Sequence, residues 1–317
     1  MQLLLPCFVV CLPQAHCSRK RKSCGSVFIA ICAGCRTGMG INMNTTATFD
    51  VELKQKLTEM LAWFHNYCVE HNLRYYVLGG TMLGAVRHKG FIPWDDDIDV
   101  GMPRADYEKF AQLMESEKKE KYRLETPHSA AKDFTYTFSK IYDTTTTLIE
   151  NTKVETKRGI YLDLFPLDGL ADTLEESQKR FKKIDFRFNF LLARVTSFRK
   201  GRSLMKNIAV ILFPIIPLNN KKLQIEIDEM CKERDFDNCK YGGNLLGAWR
   251  FKEVMESSIM GTPTLYQFEN IYVYGAEHYN EYLTHLYGDW NKLPPKEKQV
   301  THHEYKECNL HKSYLEG

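Results

Sequence analysis

The stretch that most constrains this chain is Trp94-Asp-Asp-Asp-Ile-Asp-Val100, with four carboxylates, Asp95, Asp96, Asp97 and Asp99, inside five positions. Acids this close repel one another, and only a cation would offset that cost. In an extended chain, side chains at i and i+2 share a face. Asp97 and Asp99 therefore project together, while Ile98 and Val100 turn into a core. The pair is a hard, oxygen-only donor set that suits Mg²⁺ or Mn²⁺ better than zinc. A Ca²⁺ loop would spread its ligands over about twelve residues around a glycine turn, and this stretch does not. The plain alternative is a solvated acidic turn.

Upstream, Gly79-Gly80-Thr81 reads as a turn opening a helix, whose backbone N–H groups could cradle a phosphate. A Gly-Gly pair alone is more often only a turn. Beside an Asp-apolar-Asp strand it gains weight, and Asp163, flanked as YLDLF, supplies a third carboxylate on a later strand. Two metals held this way can clamp the attacking and leaving oxygens of an in-line displacement.

Apolar residues at three- and four-residue spacing (Val51, Leu53, Leu57, Met60, Leu61, Phe64, Cys68) predict a helix from Asp50, ended by Asn72 and Leu73. RYYVLGG reads as a strand, TMLGAVRHKG as a helix stopped at Gly90, DIDVGM as a strand and RADYEKFAQLMESEKKE as a second amphipathic helix. TYTFSKIYDTTTTLIE is expected to form a hairpin or strand pair. GIYLDLFPLDG reads as a strand ended by Pro166 and Gly169. Residues 173–240 look helical, and 241–292 mix loops with a helix around HYNEYLTHLYG.

Taken together, GGTMLGAVRHKGFIPWDDDIDVGMPR, KIYDTTT, GIYLDLFPLDG and YGDWNKLPPKEKQVTHH closely resemble the LicD family, over about residues 50–305. That family includes bacterial cholinephosphotransferases and is similar to the fukutin-related enzymes. The resemblance implies an α+β fold: a nucleotidyltransferase, DNA polymerase β-like mixed sheet flanked by helices, with a helical insertion and C-terminal part. On that scheme 43–172 is the catalytic core, 173–240 a helical basic and apolar segment, and 241–317 the part that completes the domain. The implied reaction moves a phospho-alcohol, typically phosphocholine from CDP-choline, onto a sugar of a cell-surface glycan, with CMP leaving. Carried over by position, Asp97, Asp99 and Asp163 match the catalytic metal carboxylates, with Mg²⁺ or Mn²⁺ as cofactor. Gly79, Gly80 and Thr81 match the phosphate-cradling turn.

Arg87 and Lys89, between turn and carboxylates, are candidates to neutralise the diphosphate, as are Lys140 and Arg158; exposed basic ends are the alternative. A quaternary ammonium is held by aromatic faces, for which Trp94, Tyr161, Phe165 and Trp290 qualify. His302 and His303 are expected in a loop with polar contacts rather than as metal ligands. Two other readings are a nucleotidyltransferase that leaves the nucleotide on its acceptor, and a non-catalytic glycan-binding member. The three carboxylates all being present counts against the last.

Composition matters at two places. Six of the ten cysteines (Cys7, Cys11, Cys17, Cys24, Cys32, Cys35) crowd the first 35 residues, which leaves the body too sparsely stapled for a disulfide framework and points to a reduced, cytoplasmic protein. Residues 1–42 read as a non-structural leader, a start placed too early or a weak signal. Between 179 and 206 there are ten Lys or Arg and a single acid, Asp185, followed by the apolar run IAVILFPIIPL. The stretch 179–218 suits either an interfacial helix on an anionic inner leaflet or a core helix with a basic outer face. Nucleic acid is not expected as a partner, since no recognised binding module surrounds these bases.

Overall fold

The computed structural model describes residues 43–196, 204–301 and 305–316. The leader, residues 197–203 of the basic stretch, and His302 and His303 lie outside them. The described residues open with α1 (Met43–Glu70), whose Leu53, Leu57, Met60, Leu61, Phe64 and Cys68 form one buried stripe. Its end is a Schellman motif: Asn72 takes φ +51°, Leu73 N–H donates to the Cys68 carbonyl at 2.8 Å and Asn72 N–H to Val69 at 3.3 Å.

There follow β1 (Tyr76–Val77), α2 (Gly79–Arg87), β2 (Asp99–Pro103), α3 (Arg104–Glu117), β3 (Tyr122–Glu125), β4 (Ser139–Asp143), β5 (Thr147–Glu150), β6 (Lys157–Arg158) and β7 (Tyr161–Ala171). The helical stretch holds α4 (Leu174–Val195), α5 (Leu204–Leu212) and α6 (Asn220–Cys231). The rest comprises β8 (Tyr241–Gly243), β9 (Val254–Glu256), β10 (Thr264–Phe268), β11 (Ile271–Gly275), α7 (Tyr279–Tyr287) and β12 (Tyr305–Asn309). The fold is α+β around a mixed sheet ordered β1-β2-β7-β4-β3, with β8 and β9 continuing from the far end of β7. Among the described residues of this sheet, only the β2–β7 pair is parallel.

Two expectations need correction. The β4 and β5 segments do not pair with each other: β4 is already flanked by β3 and β7, so β5 turns away to join β6 and β12. And β7 runs through Pro166. Asp163 N–H donates toward β2, so the position of Pro166 points its missing N–H to the other side. There β4 has ended at Leu164 and β8 begins only at Asp168, so no ladder bond is lost.

The main core lies between the sheet, α1, α3 and α7. A second cluster packs α4 (Phe181, Ile184, Phe188, Leu191, Val195) on α6 (Leu223, Ile227, Cys231), with Leu170, Leu245, Leu246 and Val254 beneath. For α4 the core-helix reading holds. Among the described residues no helix is long and apolar enough to cross a membrane.

Candidate active site

The parallel register of β2 and β7 sets Asp99 opposite Asp163. On the other face Ile98, Val100, Leu162 and Leu164 are fully buried, so core burial fixes which way both carboxylates point. Asp97 lies in the extended lead-in to β2 and reaches the same cleft. Asp96 turns inward, where the Tyr305 hydroxyl donates to its Oδ2 at 3.3 Å.

The Gly79–Gly80 turn abuts these acids. Leu78 N–H donates to the Asp99 carbonyl at 2.9 Å and Asp99 N–H to Thr81 Oγ1 at 2.9 Å, so Thr81 spends its hydroxyl joining helix to strand. Gly79 takes φ +48°, and a Cβ on Gly80 would come within 2.6 Å of Asp95 Oδ2. Glycine is required here because carboxylates press against the turn. The Gly79 N–H donates to the Tyr282 hydroxyl at 2.9 Å.

Asp97, Asp99, Asp163, Gly79 and Gly80 line one wall of a cleft of about 910 Å³. The rest of the lining comes from α4, α5, the turn after it and the segment before β9: Phe186, Phe188, Phe190, Val210, Phe213, Trp249, Arg250 and Glu253. The aromatic lining includes Phe165 but neither Trp94 nor Trp290. Trp290 instead donates from Nε1 to Asn280 at 3.1 Å. Trp249, Phe138 and Glu253 are cleft residues that sequence reasoning missed, because nothing in their local pattern distinguishes them from loop and core positions.

Several basic candidates are engaged elsewhere. Arg87 stands at the far end of α2, roughly 12 Å from its glycines, and donates to the Trp290 carbonyl at 2.7 Å. Lys89 is exposed. Arg158 is held between Glu125 and Asp133 at 2.9 and 3.0 Å. Lys140 is buried against the Tyr161 ring, with Nζ 3.2 Å from its centroid, and pairs with Asp163 Oδ1 at 2.8 Å. It steadies a carboxylate from below. Arg250, over the Phe188 ring at 4.5 Å, is a cleft cation the motifs did not suggest.

The electrostatics are those of crowded acids. Burial, then repulsion from Asp97, Asp163, Glu253 and Asp95, holds the Asp99 carboxyl well above its ordinary range. Burial lifts Asp163 to about 6 against the pull of Lys140, and lifts Glu253 to about 7. An oxygen-only, mutually repelling set of this kind fits a hard divalent cation. Among the described residues only His128, Asp228 and Glu229 bring three ligand atoms within 4.8 Å of one another, so the cleft acids are spaced more widely. That spacing suits Mg²⁺, which commonly takes one or two carboxylates and completes its shell with water and substrate phosphate. The His128 group is accounted for otherwise, because Asp228 is bonded to Arg104 at 2.8 Å.

A sequence profile described as "LicD/FKTN/FKRP, nucleotidyltransferase domain" matches residues 72–199. The chain is 31% identical over 255 residues to the lipopolysaccharide cholinephosphotransferase LicD of Haemophilus influenzae, covering 77% of this chain and 92% of that protein. It is 44% identical over 45 residues to the human ribitol 5-phosphate transferase FKRP, covering 14% of this chain and 9% of that protein. An uncharacterised protein of Rickettsia typhi is 38% identical over 68 residues, covering 22% of each.

Proposed function

The chain belongs to the LicD family, and from that premise we propose that it is a metal-dependent phosphotransferase. It moves phosphocholine from CDP-choline to a sugar hydroxyl of a cell-surface glycan and releases CMP. The observation that carries the reading is the set Asp97, Asp99 and Asp163 on one cleft wall beside the Gly79–Gly80 turn. The named activity of the Haemophilus relative, which the chain spans over 92% of its length, supports the substrate class.

In this reading Asp97 and Asp99 would hold Mg²⁺ or Mn²⁺, which would neutralise charge on the diphosphate, with Asp163 beside them on the same cleft wall. The N–H groups of Gly80 and Thr81, at the start of α2, face a phosphate oxygen. The acceptor hydroxyl lies against Asp163, whose Oδ1 is held by Lys140, and passes its proton to Oδ2. A carboxyl lifted to about 6 is ionised at neutral pH yet basic enough for that task. The acceptor oxygen bonds to the phosphorus bearing choline as the bridging P–O bond to CMP breaks. The aromatic wall with Glu253 receives the trimethylammonium group, a soft cation suited to ring faces and a nearby carboxylate.

Purified protein with Mg²⁺, an isolated glycan acceptor and CDP-choline labelled separately in its two halves tests this. Label from choline should enter the glycan and label from cytidine should appear as CMP. Cytidine label in the glycan would instead establish a nucleotidyltransferase. CDP-ribitol and CDP-glycerol belong in the same assay, because the FKRP relative is named for ribitol 5-phosphate.

A further inference from the structure

We propose that α5 and the 3₁₀ turn that follows it, Phe213–Ile215, form a docking surface for an anionic lipid bilayer. The helix is amphipathic the wrong way round for a core element. Val210 and Asn207 are its buried positions, while Ile208, Ile211 and Leu212 stand 44, 61 and 52% exposed, followed by Ile215 at 74% and Leu218 at 52%. A cluster of exposed aliphatic side chains this dense marks a surface meant for an apolar neighbour.

The surface is also built. Arg194 on α4, 9% exposed, donates to the carbonyls of Phe213 at 2.6 Å, Ile216 at 2.8 Å and Leu218 at 2.7 Å, and to Asn220 Oδ1 at 2.6 Å. One buried guanidinium thus pins the backbone from 213 to 220 with its aliphatic side chains turned outward. A segment whose apolar groups were simply misplaced would have no such brace.

Charge selects the occupant. From residue 186 to 225 the sequence carries eight Lys or Arg and no Asp or Glu; with Arg194 spent on the brace and Arg187 paired with Glu226, six remain to give the stretch its positive charge. A second copy of this chain would bring the same positive charge against itself, whereas anionic headgroups complement it. Nine helical residues rise about 14 Å, half of what spanning requires, so the element lies in the interface plane. The inner side of the same helix, at Ala209 and Val210, lines the cleft, so docking holds the cleft beside the headgroups. The proposal stands independently of which phosphoryl group is transferred.

The test uses the full chain with sedimentation on phosphatidylcholine vesicles, with and without phosphatidylglycerol. The wild type should partition onto anionic vesicles, less on neutral ones and less at high salt. Ile211→Glu/Ile215→Glu/Ile216→Glu should lower partitioning at least about tenfold with an unchanged melting temperature and unchanged CMP release toward a water-soluble acceptor. Ile215→Trp, which keeps the surface apolar, should show a vesicle-induced blue shift in fluorescence beyond that of the wild type. No wild-type binding, equal binding by the triple variant, or an Ile215→Trp spectrum indifferent to vesicles would overturn the proposal. So would a dimer, seen by light scattering, that the triple variant dissociates.

Discussion

Asp99 and Asp163 face each other across a single step of parallel register, yet their surroundings differ. The charged neighbours that act on Asp99 are acids, whereas Asp163 has Lys140 at 2.8 Å. That asymmetry assigns different tasks. In the proposed reaction Asp99, with Asp97, would hold the metal, while Asp163, with one oxygen steadied by Lys140, would take the proton. Asp97→Asn and Asp99→Asn should therefore lose metal binding and CMP release together. Asp163→Asn should keep donor affinity near wild type while turnover falls by roughly two to four orders of magnitude, the weight of a positioned base. Asp95→Asn and Asp96→Asn should cost much less. Donor affinity by calorimetry beside CMP release decides it, and wild-type turnover in Asp163→Asn would show the roles to be wrongly divided.

At the scale of elements, α3, β7 and α6 are joined by a buried ionic knot. Arg104, 7% exposed, pairs with Asp168 at 2.7 Å and Asp228 at 2.8 Å, and His128 Nε2 lies 2.7 Å from Asp228. Burial pushes the Asp168 carboxyl up even beside the guanidinium, so the ion pair does not fully offset desolvation. Asp168→Ala, which leaves Arg104 buried with one partner fewer, should cost about 3–5 kcal/mol in urea unfolding; a loss below about 1 kcal/mol would mean that water replaces the carboxylate. No sequence pattern announced this knot, because its members are 64 and 124 residues apart. What could be read beforehand was local. Periodic apolar positions marked α1 and α3, Asn72 marked the stop of α1, and Asp-apolar-Asp marked the start of β2. What could not be read depends on pairing partners. These include the separation of β4 from β5, the passage of β7 through Pro166, and the engagement of Arg87 and Arg158 away from the cleft. The aromatic lining from α4 (Phe186, Phe188, Phe190) and Phe213 was hidden for the same reason, since these residues look like any other apolar positions until the fold brings them to the cleft.

Over the whole molecule, the crowded carboxylates tie stability to protons, and a metal bound there would act in the opposite direction. Asp163 moves from 3.8 to about 6 on folding, mainly through burial, and Asp99 moves in the same sense. The native state therefore binds these protons more tightly than the unfolded chain. Between about pH 4 and pH 6 the Asp163 contribution falls as pH rises, and the raised Asp99 carboxyl acts in the same sense, so ionising the cluster costs stability. A divalent cation held by the cluster would reverse the sign, because it would bind only the deprotonated carboxylates and stabilise the native state by mass action. The melting temperature gained on adding Mg²⁺ should consequently grow from pH 5 to pH 7.5 and vanish with EDTA. Asp99→Asn should raise the metal-free melting temperature at neutral pH and abolish most of the Mg²⁺ increment. Comparing each variant with wild type at every pH cancels the titration of groups remote from the cleft. A Mg²⁺ increment that is flat with pH, or larger at pH 5 than at pH 7.5, would mean that the cation binds outside this cluster.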